Sequence, residues 1–138
     1  MNQEHIYHIL IDRFFPTKGE DADGDFRGGC LRSIIDHLDY IQGLGMTGIM
    51  LTPFYKTAAY HGYHIVNFKQ VDPHFGTKED LHELINEAHR RGMIIVSDFV
   101  TNHCHKSCTL FSDGKHNDWF FFKRNGTYKC CLLYTSDA

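Results

Sequence analysis

No stretch of this 138-residue chain approaches the ~20 consecutive apolar residues that a helix needs to cross a bilayer, which sets aside a membrane-spanning protein. A basic excess is also missing. Fourteen Lys and Arg stand against 17 Asp and Glu, a formal charge of −3, so the chain carries no electropositive footprint for nucleic acid. There is no Gly-x-Ser-x-Gly nucleophile elbow, and the glycines between 24 and 29 open no phosphate-binding turn. Neither a repeat nor a low-complexity tract is visible. Cysteine is sparse: five residues, an odd number, is too few for a disulfide scaffold and favours a reducing compartment. Met1-Asn-Gln-Glu-His is polar and leads straight into an apolar run, so no signal peptide is expected and a cytoplasmic location is.

What is present reads as an ordered set of β/α units in a globular composition, 42% hydrophobic and 22% charged. Residues 6–11 are an apolar run, a buried strand, ended by Asp12 and Arg13. Leu31, Ile34, Ile35, Leu38, Ile41 and Leu44 recur at three- and four-residue spacing and predict one amphipathic helix stopped by Gly43 and Gly45. Residues 48–52 predict a second strand closed by Pro53. Thr77 with Asp80 resembles a capping box, and Leu81, Leu84, Ile85 and Ala88 give the helix that follows its apolar face. Gly92 stops that helix and releases Met93-Ile-Ile-Val, a third strand. Strand and helix in alternation imply a parallel sheet with right-handed crossovers. The connection over residues 53–76 is far longer than the usual ~2–6 residues, and it leaves a strand's C-terminal end, as do the segments after Asp12 and Asp98. Long loops gathered on one rim are the organisation of a (β/α)8 enzyme. Only about three units are present, so the expected fold is α/β: the N-terminal portion of such a barrel, a TIM barrel, over residues 1–128.

The third strand ends in Asp98, with Asn102 and His103 just beyond. A carboxylate, an amide and an imidazole are thereby delivered together to the rim where barrels of this kind build their sites. Asp-x-x-x-Asn-His resembles the first conserved region of the α-amylase family, glycoside hydrolase family 13. Four further segments resemble that family in the same order: Gly28-Gly29-Cys30-Leu31 with the helix after it, Thr47 to Pro53, His61-Gly62-Tyr63 with Val71-Asp72-Pro73-His74-Phe75-Gly76, and Lys78-Glu79-Asp80-Leu81 through Gly92. The likeness covers roughly residues 6–123. Its wording around residues 36–40, 71–76 and 102–104 is nearest to neopullulanases and cyclomaltodextrinases.

The resemblance implies a retaining hydrolase or transglycosylase acting on α-1,4 or α-1,6 glucosidic bonds of an α-glucan or maltooligosaccharide, with nucleic acid and membrane not among its partners. It implies that Tyr63 lies under the sugar at the cleavage site and that His103 donates a hydrogen bond to that sugar. His61 is expected to bind substrate beside them, and Asp98 to support the catalytic groups from behind. The high aromatic share, 14%, suits flat surfaces that cover the C–H faces of sugars. Asn102 is implied as a ligand of a structural calcium, the expected cofactor. The nucleophile, the general acid and a third acid come from the family's fourth, fifth and seventh strands. None is therefore expected within this chain, and the catalytic carboxyl groups are expected in sequence beyond Ala138. Where relatives usually carry Asp, this chain has His64, and Asn67-Phe68 replaces Asp-Tyr. In exo-acting members that first Asp grips the terminal sugar, so an endo-acting or maltose-releasing enzyme fits better.

Asp21, Asp23 and Asp25 alternate like the opening of a calcium loop. As an EF-hand the run fails, with Phe26 where Gly is needed and Arg32 where Glu is needed. It reads either as a solvated loop or as the divalent-ion loop found in some family members. Two rival readings remain: a non-catalytic carbohydrate-binding or regulatory protein on an amylase-like barrel, and a small metal protein built on His103, Cys104, His105 and Cys108. Residues 131–138, Cys131 to Ala138, resemble a translated sequencing adapter, and residues 129–138 are expected to be a non-native tail, outside any fold reasoning.

Overall fold

The computed structural model describes residues 4–16 and 26–120. Among them are five strands, β1 (Ile6–Ile9), β2 (Gly48–Leu51), β3 (Tyr55–Thr57), β4 (Ile65–Val71) and β5 (Ile94–Ser97). Four α-helices accompany them: α1 (Leu31–Asp36), α2 (Leu38–Gly43), α3 (Lys78–Arg90) and α4 (Thr109–Ser112). Strands β1, β2 and β5 form one parallel sheet in that order, the arrangement expected from strand–helix alternation. No helix among the described residues is long and apolar enough to cross a membrane.

The two faces of this sheet differ. Ile9, Ile49 and Leu51 are buried and pack with Leu31, Ile34, Leu38, Ile41, Leu84 and Ala88 of the helices into one core, with Ile95 partly buried against it. Their neighbours in the alternation point the other way. Ile6, Gly48 and Ile94 are in register, and a Cβ on Gly48 would meet Ile94 Cγ1 at 2.5 Å and Ile6 Cδ1 at 2.7 Å. Glycine is needed there because two isoleucines from flanking strands meet over it. The next row on that face is His8, Met50 and Val96. Ile6 is 38% exposed, Ile94 42% and Val96 37%. Residues 6–11 read as a buried strand, yet of the three strands only the central one, β2, is largely buried. An outer strand of a three-stranded sheet has one ladder neighbour, and its face away from the helices has no second layer of described residues across it.

Two further differences have local causes. The helix expected from residue 31 to 44 is two helices broken at His37. The His37 ring bonds the Ser33 carbonyl through Nδ1 at 2.7 Å, and the His37 amide turns instead to the Ile34 carbonyl at 3.1 Å. A side chain has taken the acceptor that the i−4 ladder would use, which is a known way to bend a helix. The long connection after β2 holds the antiparallel pair β3–β4, with register shifts between Tyr55, Lys56 and Thr57. Asp72, 2% exposed, fastens that pair: its carboxylate accepts the Thr57 amide at 2.8 Å, the His74 amide at 2.9 Å and the His74 ring at 2.7 Å. The capping box on α3 forms in full, with Thr77 Oγ1 accepting from the Asp80 amide and Asp80 accepting from the Thr77 amide. The triad Asp21, Asp23 and Asp25 lies outside the described residues, as does the tail over residues 129–138 with Ala138 at its end.

An apolar face beside an open strand edge is a pairing surface. The 138-residue chain expressed alone is expected to run in sedimentation velocity as dimers or larger species. Ile94→Lys/Val96→Lys, which puts charge on that face, should shift it toward monomer; a wild-type chain that sediments as a monomer and melts cooperatively contradicts this.

Candidate functional site

Three parallel strand ends define the rim. The ladder runs on past the strands, with Thr52 N–H donating to the Ile9 carbonyl at 3.0 Å and Asp98 N–H to the Leu51 carbonyl at 3.0 Å. The Asp98 backbone is therefore fixed by the sheet, and its side chain accepts a 2.6 Å hydrogen bond from Tyr63 Oη. Tyr63 comes from the turn between β3 and β4. Gly62 makes its placement possible: φ is +83°, and a Cβ there would lie 2.0 Å from the Pro53 carbonyl oxygen. Only glycine allows the turn to lie this close to the end of β2.

His103 completes the group. Its Nε2–H donates to the Tyr63 carbonyl at 3.0 Å, across 40 residues of sequence, while Nδ1 is buried and has no hydrogen-bond partner among the described residues. With its proton on Nε2, the ring leaves an acceptor at Nδ1. Donation to a sugar then requires Nε2–H to leave the Tyr63 carbonyl, or a second proton on Nδ1. His61 stacks on Tyr63, centroids 5.7 Å apart and planes 29° apart, and its Nδ1 accepts the Tyr63 amide at 3.1 Å. Thus Asp98, Tyr63, His103 and His61 meet at one place. Asn102 is exposed.

Burial, with the hydrogen bond to Asp98 next, pushes the Tyr63 phenol up to about 12. Burial also holds His61, His64 and His105 below the ordinary histidine value, and each is lowered further by a neighbouring imidazole, from His64 or His103. The Cys104 thiol is pushed up to about 12, by burial first and by the neighbouring Cys108 thiol second, which makes it a poor nucleophile at neutral pH.

Several contributors carried no local signal. Asp12 is fully buried at the end of β1, and its carboxylate accepts the amides of Arg27 at 2.9 and 3.0 Å and of Gly28 at 3.2 Å. It also pairs with Arg13 at 2.8 Å, and that guanidinium lies 4.2 Å from the centroid of the Tyr60 ring. The end of β1 is thereby joined to the turn that carries His61 and Tyr63. Two charged residues straight after an apolar run mark Asp12 and Arg13 as a strand end, but nothing near them in sequence names Tyr60.

Among the described residues no group of three or more His, Cys, Asp or Glu side chains could hold a metal ion. The metal-protein reading of His103, Cys104, His105 and Cys108 therefore fails: the side chains do not converge as a tetrahedral thiolate–imidazole site requires. Asn102 likewise has no such cluster among the described residues to share a calcium ion with.

A raised phenol pKa has a signed consequence. The neutral phenol is the form the fold prefers, so its contribution is complete below the unfolded value of about 10 and is lost as pH rises toward 12. In alkaline absorbance titration Tyr63 should ionise later than an exposed tyrosine, and Tyr63→Phe should reduce the late-ionising amplitude by one tyrosine. The same variant should lower unfolding free energy by about 1–2 kcal/mol, a hydrogen bond to a charged acceptor discounted for partial exposure.

Comparison with known proteins bears on the family and the fold of this chain. Residues 8–130 match the family model described as alpha amylase, catalytic domain. "Alpha-amylase 2" of Dictyoglomus thermophilum is 41% identical over 128 residues, 86% of this chain and 23% of that protein. The cyclomaltodextrinase of Geobacillus thermopakistaniensis is 40% identical over 116 residues, 78% of this chain and 20% of its own length. The crystal structure of the α-amylase from Geobacillus thermoleovorans, complexed with acarbose, superposes with a TM-score of 0.77 at 43% identity, covering 88% of this chain and 28% of that one. The chain spans less than a quarter of the length of these two sequence relatives. Its three parallel strands are the opening units of a (β/α)8 barrel, and the chain belongs to the α-amylase family of glycoside hydrolases.

Proposed function

We propose that the protein containing this chain hydrolyses or transfers α-1,4 or α-1,6 glucosidic bonds of α-glucans and maltooligosaccharides with retention of configuration, and that this chain forms one wall of its sugar site. The observation that carries the reading is the convergence of Tyr63, His103 and Asp98 on one rim, joined by the 2.6 Å and 3.0 Å hydrogen bonds. The family match supports reading that convergence as part of a sugar site.

In this reading the Tyr63 ring lies against the apolar face of the sugar at the cleavage site. His103 moves its Nε2–H from the Tyr63 carbonyl to a sugar hydroxyl oxygen as the substrate enters. Asp98, already accepting from Tyr63, sets the angle of the ring and is not a nucleophile; a carboxylate engaged at 2.6 Å is poorly placed to attack an anomeric carbon. Retaining chemistry needs two carboxyl groups about 5–5.5 Å apart, one to form the glycosyl–enzyme bond and one to protonate the departing oxygen. This proposal assigns both to later strands of the parent barrel, in sequence beyond Ala138 and so outside this chain. Residues 1–128 are the start of that barrel in the same proposal, and residues 129–138 a non-native tail. Two relatives are named for maltogenic activity, one of them as intracellular, in Bacillus acidopullulyticus and Bacillus subtilis. A maltose-releasing, cytoplasmic enzyme is the corresponding assignment here, and the histidine in place of the terminal-sugar carboxylate at position 64 supports it over an exo-acting glucosidase.

The test is a kinetic comparison in the full-length protein on maltooligosaccharides and cyclodextrins. His103→Ala should lower kcat/KM by about 1.5–3 kcal/mol of transition-state stabilisation, the range for a hydrogen bond to developing charge. A correctly folded variant with unchanged kinetics removes His103 from the substrate site, and a full-length protein without turnover on any α-glucan removes the proposed activity and leaves the non-catalytic carbohydrate-binding reading.

A further inference from the structure

A flat ring that is to lie under a sugar needs both its direction and its plane fixed. The hydrogen bond from the Tyr63 hydroxyl to Asp98 fixes the direction of the ring's long axis. A bond at the end of that axis leaves rotation about it free; a group against the ring face stops it. His61 is such a group, its plane 29° from that of Tyr63 and the centroids 5.7 Å apart. The His61 ring is set in turn by its Nδ1, which accepts the Tyr63 amide at 3.1 Å, and by Tyr60. The Tyr60 ring meets it edge to face, centroids 5.2 Å apart and planes 77° apart.

At Tyr60 the turn meets the end of β1. The base of the turn is fastened by its own chain: the Ala58 amide donates to the His64 carbonyl at 2.9 Å, and Thr57 Oγ1 donates to the same carbonyl at 3.1 Å. Tyr60 lies beyond that base, and the guanidinium carbon of Arg13 stands 4.2 Å from the centre of its ring. Arg13 is itself held. Its amide donates to the Leu10 carbonyl at 3.0 Å, and its Nη1 donates to Asp12 Oδ2 at 2.8 Å. Asp12 is fully buried and accepts the amides of Arg27 and Gly28. A planar guanidinium can pair with a carboxylate through its edge and cover an aromatic ring with its face. Contacts therefore run in series through Asp12, Arg13, Tyr60, His61, Tyr63 and Asp98, from the end of β1 to the end of β5.

We propose that Arg13 is a positioning residue for the sugar site: through Tyr60 and His61 it sets the plane of the Tyr63 ring. What the ring holds rests on the α-glucan reading; how the ring is held does not. In this role Arg13 acts on the turn, not on the sugar. Without the guanidinium over it, Tyr60 loses its outer support and His61 loses the edge that Tyr60 presents to it. Tyr63 keeps its bond to Asp98 but turns about its axis, and the sugar meets the carboxyl groups of the later strands out of line. Misplacement by about 1 Å at a reacting bond costs up to about a hundredfold in rate. Alignment matters most at that bond, so the loss should fall on kcat more than on KM.

The experiment compares Tyr60→Phe, Tyr60→Leu and Arg13→Met in the full-length protein. Both Tyr60 variants leave the Asp12–Arg13 pair in place; phenylalanine still offers a ring face to the cation and leucine does not. On maltooligosaccharides Tyr60→Phe should stay within about twofold of wild type in kcat/KM, whereas Tyr60→Leu should lose at least about tenfold, mainly in kcat. Arg13→Met should reproduce that loss, and the double variant Arg13→Met/Tyr60→Leu should lose no more than the larger single one. NMR of the protein labelled with 13C-tyrosine supplies a readout that needs no turnover, the Tyr63 signal being the one absent from Tyr63→Phe. That signal should keep its wild-type shift in Tyr60→Phe and move in Tyr60→Leu and Arg13→Met. Unchanged kcat in Tyr60→Leu, equal losses in the leucine and phenylalanine variants, additive losses in the double variant, or a Tyr63 signal that stays in place would each overturn the proposal. If wild type turns over no α-glucan and the Tyr63 signal still moves, the enzymatic reading fails and the hold of Arg13 on the ring stands. Turnover in wild type with an unmoved signal leaves the enzymatic reading and removes the role of Arg13.

Discussion

The parallel register of β1, β2 and β5 is the constraint on which the rest depends. Ile9, Leu51 and Ser97 lie in one row, and the hydrogen bonds Thr52 to Ile9 and Asp98 to Leu51 carry the ladder one residue beyond the strands. The Ile11 amide then takes Thr52 Oγ1 at 3.3 Å where a strand partner would otherwise be needed. Parallel strands deliver like ends to like places. Asp12, Thr52 and Asp98 are therefore neighbours on one rim although they are far apart in sequence. Slipping β5 by one residue would turn Asp98 from the rim into the apolar, helix-covered face, where a carboxylate would lose its hydration without replacement.

On this rim the parts that carry Tyr63, His61 and His103 are loops, and two buried carboxylates hold the chain around them. Burying a carboxylate is costly unless hydrogen bonds replace its hydration. Asp12 receives two backbone amides and a guanidinium; Asp72 receives two backbone amides and an imidazole. In each case the acceptor gathers chain that no regular element holds: residues 27 and 28 around Asp12, and β3 with the turn at His74 around Asp72. The Arg13–Tyr60 contact then links the first of these anchors to the turn bearing Tyr63. The tyrosine is thus held at three points: Asp98 at its hydroxyl, His103 at its carbonyl and His61 at its amide and ring. A side chain so constrained loses little further freedom when a ligand settles against it.

The electrostatic character of the wall follows from its imidazoles, with the His64 ring near both His61 and His105. With a carboxylate at position 64, the imidazoles on either side would have a counter-ion and would protonate readily. With His64 they face one another, and burial keeps all three neutral near neutral pH.

Much of this was legible in the sequence because it is written in short-range signals. Apolar periodicity located α3 and the three parallel strands, Thr77 and Asp80 announced the cap, and the Asp-x-x-x-Asn-His spacing placed Asp98 and His103 just beyond a strand end. Their meeting with Tyr63 also followed, since loops leaving adjacent parallel strands share a rim. Other features were decided only by tertiary structure. The break at His37 depends on a ring reaching the Ser33 carbonyl, which apolar spacing cannot register. Strands β3 and β4 are short and irregularly paired, and they persist because Asp72 fastens them; a pattern of residues does not reveal that anchor. The joining of His61, His64 and His105 into one wall is likewise a property of packing. Sequence supplies three histidines with ordinary affinities for protons, and only the fold sets their rings side by side and makes each one's charge the others' concern.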